Sequence, residues 1–331
     1  METTKDSSTS SIVVVMVPFL AQSHLNQLLQ FAHVVSSSYD IPVHYISSTL
    51  HNSQVKSRAS NPLNQLTKIH FHDYPLPISS PISQENPCFF ESKFVKNAIP
   101  LFEASTHLRQ PVCDLLKSLS PSTKRLVVIY DVVMVSVVQD VVCIPNGEAY
   151  SFNCGSIFVG FSLMCEALGR NDIVPMYNNM PSLKSCFSNF ILDFMKRQQL
   201  GVVNFQAGEI YNSCRAIEGT ILESLVNDIG GEKNKVWAVG PLHQTTVSNN
   251  ELRRDQVQDK WLLEWLDKQE SNSVMYISFG TTSVFSEEEI EEISIGLELS
   301  GVKFIWALRE GDKFDVLGTN EEVLFPTSNW V

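Results

Sequence analysis

The residue types that could do chemistry in this chain are few, and two of them stand at comparable points of separate apolar runs. His24 follows the loop Pro18-Phe19-Leu20-Ala21-Gln22-Ser23, after Ile12 to Val17 and at the mouth of an amphipathic segment. An imidazole near its ordinary pKa of about 6.5 can take a proton from a hydroxyl at neutral pH. Asp131 ends the run Leu126 to Tyr130. If both runs are strands of one open α/β sheet, both residues lie at the edge where such sheets bind ligands. The carboxylate could then fix the imidazole tautomer and stabilise the imidazolium, as the acid of a catalytic triad does. Position alone also allows plainer roles, a structural or capping histidine and an acid that caps the next turn.

Two further stretches invite a chemical reading. Ser278-Phe279-Gly280-Thr281-Thr282-Ser283 leaves an apolar run for a helix and offers hydroxyls and backbone N–H groups that suit a phosphate, with Ser278, Gly280, Thr281 and Thr282 as the contacting residues. The acidic Glu287, Glu288 and Glu289 that follow oppose an anion at the helix itself, and an ordinary turn is an equal alternative. His70-Phe71-His72-Asp73 puts two imidazoles on one face of a strand. No further ligand cluster is evident beside them, and a strand that alternates polar with apolar residues accounts for the pattern, so no metal site is assigned.

The elements that must position these groups read as α/β. The β-branched run Ile12 to Val17, stopped by Pro18, fits a strand buried on both faces. Leu25, Leu28, Leu29, Ala32 and Val35 recur at helical spacing, and Val43 to Ile46 reads as the next strand. Ser57 to Glu91 is rich in Pro, Ser and Asn and holds one convincing strand, Lys68 to Tyr74. A helical stretch from about Glu91 to Leu119 leads into the strand that ends on Asp131. Gly219 to Leu225 and Val236 to Val239 are expected to be the last strands of a first domain spanning 1–243. A polar linker over 244–259 precedes a fresh βαβ unit in 260–331, with strands at Ser273–Phe279 and Val302–Leu308. Its helix opens on a capping box, Ser286 with Glu289, and Gly301 can end it.

Bulk composition narrows the partners. With 36 acidic against 24 basic side chains, the formal charge of -12 repels phosphate backbones and anionic lipid, so neither nucleic acid nor a membrane is expected as a partner. The polar first ten residues and the shortness of the run after them do not make a signal peptide, and a cytoplasmic monomer is expected. Seven cysteines without Cys-x-x-Cys spacing read as reduced core residues. The Gly-x-Gly-x-x-Gly fingerprint of nicotinamide enzymes follows neither first strand.

Taken in order along the chain, these motifs resemble the plant UDP-dependent glycosyltransferases, and within them the zeatin O-glucosyltransferase and O-xylosyltransferase group. The resemblance is carried by Val17 to Gln27, Val127 to Val141, Ile144-Pro145-Asn146, Tyr211 to Gly219, Val239-Gly240-Pro241-Leu242, Ser278 to Thr281 and Phe304 to Arg309. It implies a GT-B fold of two Rossmann-like doubly wound domains, with the second incomplete here. It implies that His24 deprotonates an acceptor hydroxyl that attacks the anomeric carbon of a UDP-sugar with inversion, that Asp131 supports it, and that Thr281 contacts the donor. UDP-sugar is then a co-substrate and no separate cofactor is needed. Phe19, Asn26, Phe89, Phe90 and Phe152 are candidates for the acceptor pocket, with core packing the alternative for the four phenylalanines.

Three departures from the family bear on the site. Ser23 stands where the family has glycine, which would narrow the loop's backbone choices and displace the base. Val132 and Val133 follow Asp131 where the subgroup has small or polar residues, altering the acceptor pocket. The family's donor signature, which begins Trp-Ala-Pro-Gln and contains His-Cys-Gly-Trp-Asn-Ser, is absent. A C-terminally truncated chain is therefore expected, whose single second-domain βαβ unit leaves apolar faces uncovered. The rival to a transferase is a catalytically inactive acceptor-binding protein of the same lineage.

Overall fold

The computed structural model describes residues 10–58, 68–76, 93–170, 189–202, 205–230, 235–242, 260–280 and 285–307. Phe89, Phe90, Thr281, Thr282 and the linker 244–259 lie outside the described residues. The chain divides into two compact units, Met1–Pro87 with Ile99–His243, and Cys88–Ala98 with Gln244–Val331.

The first unit is built on a seven-stranded sheet. Its strands are β1 (Ser10–Val17), β2 (Val43–Ser48), β3 (Ile69–Tyr74), β4 (Thr123–Asp131), β5 (Gly147–Asn153), β6 (Gln206–Tyr211) and β7 (Val236–Ala238). They run parallel in the order β3-β2-β1-β4-β5-β6-β7. From β1 the chain winds outward to β2 and β3, then returns to lay β4 on the other side of β1. The loops after β1 and β4 therefore diverge, and this switch in direction opens a crevice at the carboxyl edge. Register places Val17 opposite Tyr130, so Asp131 stands one residue beyond the last pair and beside the loop that leads to His24.

Burial explains the unbroken apolar sequence of β1: Val13 to Val17 are each at most 5% exposed, as a central parallel strand covered on both faces requires. Helices α1 (Gln22–Tyr39), α2 (Thr49–Arg58), α3 (Lys93–Thr106), α4 (Arg109–Leu119), α5 (Val135–Val138), α6 (Ile157–Leu168), α7 (Asn189–Val202) and α8 (Arg215–Ser224) pack with this sheet, α3 belonging to the unit from Ile99 onward. The expected stripe Leu25, Leu28, Leu29 and Ala32 is the buried face of α1, packed with Val14, Met16, Val43, Tyr45 and Phe152 in one core cluster. The single helical stretch expected over Glu91 to Leu119 is two helices instead, α3 and α4, which meet at His107 and Leu108.

A further expectation fails here. Gly219 to Leu225 is not a strand: it lies in α8 and the turn after it. Ile221, Leu222 and Leu225 fall on one side of a helix and join Ile157, Phe161 and Tyr211 in a second cluster, a spacing that a short apolar run cannot distinguish from a strand. The strands actually present there, β5 and β6, were hidden by the glutamates they carry. Glu148 in β5 pairs with Arg125, and Tyr211 donates to Glu209 in β6 at 3.0 Å.

The Gly240-Pro241 motif closes the sheet beside β6. The Gly240 N–H donates to the Ser213 carbonyl at 2.7 Å, and the Leu242 N–H to Asn212 Oδ1 at 2.7 Å. A Cβ at position 240 would lie 2.7 Å from the Asn212 carbonyl carbon, so only glycine allows this approach.

The second unit contains α9 (Lys260–Leu266), β8 (Val274–Ser278), α10 (Glu287–Ser300) and β9 (Lys303–Ala307). β8 and β9 pair in parallel with Val274 opposite Lys303. Both hydrogen bonds of the Ser286–Glu289 capping box are made, and Gly301 ends α10 at φ 63°. Among the described residues of this unit, Met275, Tyr276, Phe279, Ile295, Leu299 and Val302 are exposed.

Candidate active site

Three elements converge on the Asp131 carboxylate. His24, in the first turn of α1, meets it with Nδ1 at 2.6 Å from Oδ2. The Val133 N–H, in the turn after β4, donates to Oδ1 at 3.1 Å. Cys154, just past β5, directs its thiol to Oδ2 at 3.5 Å. Asp131 is 1% exposed, so these donors take the place of water around a buried charge. The His24 side chain keeps 30% of its surface exposed. With Nδ1 donating to the carboxylate, Nε2 carries the lone pair, which is the tautomer a general base needs.

The electrostatics follow from that contact. Burial lowers the His24 pKa, while the Asp131 charge and hydrogen bond raise it, and the net effect is a rise above 6.5. Burial, helped by the neighbouring Asp131, pushes the Cys154 thiol far up, which keeps it a neutral donor.

Local packing sets the imidazole. Ser23 is a helical residue of α1 and does not have the positive φ that would call for glycine, so the serine costs the backbone nothing at this position. The Tyr45 hydroxyl donates to the Leu25 carbonyl at 2.7 Å, anchoring the first turn of α1 to β2. Phe19 meets the His24 ring edge-on, with centroids 5.5 Å apart and planes at 77°.

Of the acceptor candidates, Phe19 is beside His24 but only 4% exposed, and Asn26 is half-buried on α1. Phe152 is fully buried and stacks on Phe31 at 5.5 Å, so it is a core residue with no surface to offer a ligand. Sequence reasoning did not single out Phe102, Phe190 and Phe194, the aromatic group that packs behind Phe19, in which Phe102 and Phe194 are themselves buried. Phe19 packs on Phe102 at 4.6 Å, and Phe102 in turn meets Phe194 at 4.8 Å and Phe190 at 6.3 Å. They come from α3 and α7, remote in sequence, and the i, i+4 pair Phe190 and Phe194 was the signal available. Val132 is 40% exposed in the turn beyond Asp131.

Of the residues expected to contact the donor, Ser278 ends β8 and Gly280 takes φ 75°, and both are exposed. The histidines of β3 flank His44 of β2, whose Nδ1 lies 2.8 Å from His72 Nε2 and whose ring centroid is 5.0 Å from that of His70. Burial and these two imidazoles push His44 down to about 4. Among the described residues, the one group of three or more His, Cys, Asp or Glu with ligand atoms within 4.8 Å of one another is His24, Asp131 and Cys154.

Residues 10–244 match the family described as the glycosyltransferase N-terminal domain. The chain is 41% identical to a zeatin O-glucosyltransferase of Phaseolus lunatus over 94% of its own length and 65% of that protein's. It is 39% identical to a zeatin O-xylosyltransferase of Phaseolus vulgaris, over 94% of this chain and 66% of the relative. It thus spans a little under two thirds of the length of these relatives. A Glycyrrhiza uralensis glycosyltransferase solved with glycyrrhetinic acid 3-O-monoglucuronide superposes with a TM-score of 0.66 at 20% identity, over 92% of this chain and 64% of that one. An Arabidopsis thaliana homologue solved with UDP-L-rhamnose gives 0.61 at 18% identity, over 93% and 67%. The domain match and the curated relatives identify the chain as a member of the plant UDP-glycosyltransferases of family 1, and the parallel sheet and superpositions show the GT-B fold.

Proposed function

We propose that this chain serves the inverting transfer of a sugar from a UDP-sugar to a hydroxyl of a small, largely apolar plant metabolite, a zeatin-type cytokinin being the leading candidate. The observation that carries this reading is the 2.6 Å contact between His24 and a buried Asp131 at the switch point of the sheet, beside the aromatic group of Phe19 and Phe102. His24 Nε2 accepts the hydroxyl proton as the acceptor oxygen bonds to the anomeric carbon from the face opposite UDP. The bond from that carbon to the UDP oxygen breaks, and UDP leaves with the electron pair. Asp131 stabilises the imidazolium that forms. UDP-sugar is consumed as a co-substrate, and the domains assigned are acceptor binding in 1–243 and donor binding in 260–331. Ser278, Gly280, Thr281 and Thr282 are assigned to the donor phosphates. No helix among the described residues is long and apolar enough to cross a membrane, which fits a protein working on dissolved substrates.

A second reading, acceptor binding without transfer, is favoured by the exposed apolar side chains of β8 and α10. Calorimetric titration with UDP and with trans-zeatin separates the two. Saturable binding of both, with glucosylated product from UDP-glucose, supports the transferase. Zeatin binding with no UDP binding supports the second reading, and binding of neither overturns both.

A further inference from the structure

The thiol of Cys154 has no part in the transfer chemistry, yet it completes a set of three metal-ligand types around one buried carboxylate. His24 Nδ1, Asp131 Oδ2 and Cys154 Sγ come from three separate elements, and all lie within 4.8 Å of one another. Nδ1 and Oδ2 are 2.6 Å apart, and Sγ and Oδ2 are 3.5 Å apart. Zinc bonds of about 2.0–2.2 Å to N and O and about 2.3 Å to S, in tetrahedral geometry, put the N and O ligands about 3.4 Å apart and the S and O ligands about 3.5 Å apart. The sulfur–oxygen edge is already at that length. The nitrogen–oxygen edge must open by less than about 1 Å, a movement open to the partly exposed imidazole while the carboxylate stays on Val133.

We propose that His24, Asp131 and Cys154 form a zinc-binding site that switches the base off. The charges suit a dication, since a thiolate and a carboxylate neutralise it and the neutral imidazole supplies the third ligand. Three protein ligands leave a fourth position for water. Proton accounting shows the consequence for His24. The Cys154 S–H bond breaks, its electron pair goes to the metal, and its proton leaves to solvent. The metal takes an Nδ1 lone pair, so the proton that Nδ1 carried in its hydrogen bond to Asp131 leaves that nitrogen and the ring carries its proton on Nε2. With Nε2 protonated, His24 can no longer accept a proton from an alcohol. The metal site stands on geometry alone, whereas its effect on turnover rests on the transferase reading.

Cobalt(II) alone, titrated into the full chain at neutral pH in a non-chelating buffer, tests the site optically. The expected result is a single equivalent of four-coordinate cobalt, with intense visible bands and a near-ultraviolet thiolate charge-transfer band, displaced by zinc. Cys154→Ala should remove the charge-transfer band. It should weaken binding by more than the roughly 10–100-fold that loss of an outer-shell partner costs. Cys154→Ser serves should the alanine variant not fold, and His24→Ala should also weaken binding. Cys143→Ala, which removes an exposed thiol, should leave the spectrum unchanged. A charge-transfer band that survives in folded Cys154→Ala or Cys154→Ser, or that vanishes in Cys143→Ala, overturns the proposal, as does the absence of any band in the wild type. Micromolar-range zinc inhibition of sugar transfer is the separate second reading. Cobalt binding in a chain without turnover would uphold the metal site and count against the transferase.

Discussion

Replacing Asp131 by asparagine keeps the shape of the side chain and removes its charge, and its effects on His24 run in opposite directions. In the wild type, burial lowers the imidazole pKa while the Asp131 charge and the 2.6 Å hydrogen bond raise it, with a net rise above 6.5. In Asp131→Asn both raising causes are gone and burial remains, so the His24 pKa falls. A base works in its neutral form, so the acid limb of kcat/KM moves to lower pH. The plateau nevertheless drops, because the imidazolium formed in the transition state has lost its counter-charge. A hydrogen bond to a charged group contributes about 1.5–3 kcal/mol. At about 1.4 kcal/mol per decade that is a loss of roughly 10- to 150-fold. The loss approaches about 10⁴-fold if the amide leaves the ring in the wrong tautomer, as happens in a serine-protease triad. The assay is the pH titration of the His24 ring proton by NMR, alongside kcat/KM with UDP-glucose and zeatin over the same pH range. A folded variant whose His24 pKa stays the same or rises, or whose plateau falls less than about fivefold, would refute the dyad.

Four further outcomes are expected. Phe152→Ala should cost about 3–5 kcal/mol in urea unfolding, because a fully buried ring is removed, with little change in zeatin affinity in the folded protein. Phe102→Leu should instead raise the acceptor KM, measured by initial rates, since Phe102 holds Phe19 beside the base. Glu218 accepts the N–H groups of Ile157 and Phe158 at 3.0 Å and the Ser213 hydroxyl at 2.6 Å. Burial pushes its pKa up, but these hydrogen bonds hold it below 4.5 overall. The stability it contributes is therefore present above about 4.5 and lost as pH falls through the depressed value. Glu218→Gln should flatten that acid limb and cost roughly 1–2 kcal/mol at neutral pH, read from denaturant midpoints. Ser286→Ala should destabilise α10 by about 1 kcal/mol through loss of its cap, seen as a fall in helical circular dichroism on heating.

Much of the frame was legible in the sequence because the signals that specify it are local. Continuous β-branched runs marked β1 and β4, a helical stripe marked the buried face of α1, and the Ser286–Glu289 box marked the start of α10. The candidate pair was legible for the same reason: His24 follows, and Asp131 ends, a strand that composition identifies, at the edge where such sheets bind ligands. The mixed strands β5 and β6 were not legible, because their glutamates find partners only on neighbouring strands or within the folded sheet. Gly219 to Leu225 was misread because three apolar residues in seven, Ile221, Leu222 and Leu225, are too few to settle the period until something packs against them.

Tertiary structure alone decided the surroundings of the base. That Phe102 and Phe194 stand behind Phe19 while Phe152 lies in the core depends on how α3 and α7 cross the sheet. That Cys154 reaches Asp131 depends on the Asp131–Phe152 register of β4 and β5, and that His44 sits between His70 and His72 depends on the pairing of β2 with β3. Each is a contact between residues far apart in the chain. No periodicity along one segment encodes such a contact, since it is selected by the packing of several layers at once.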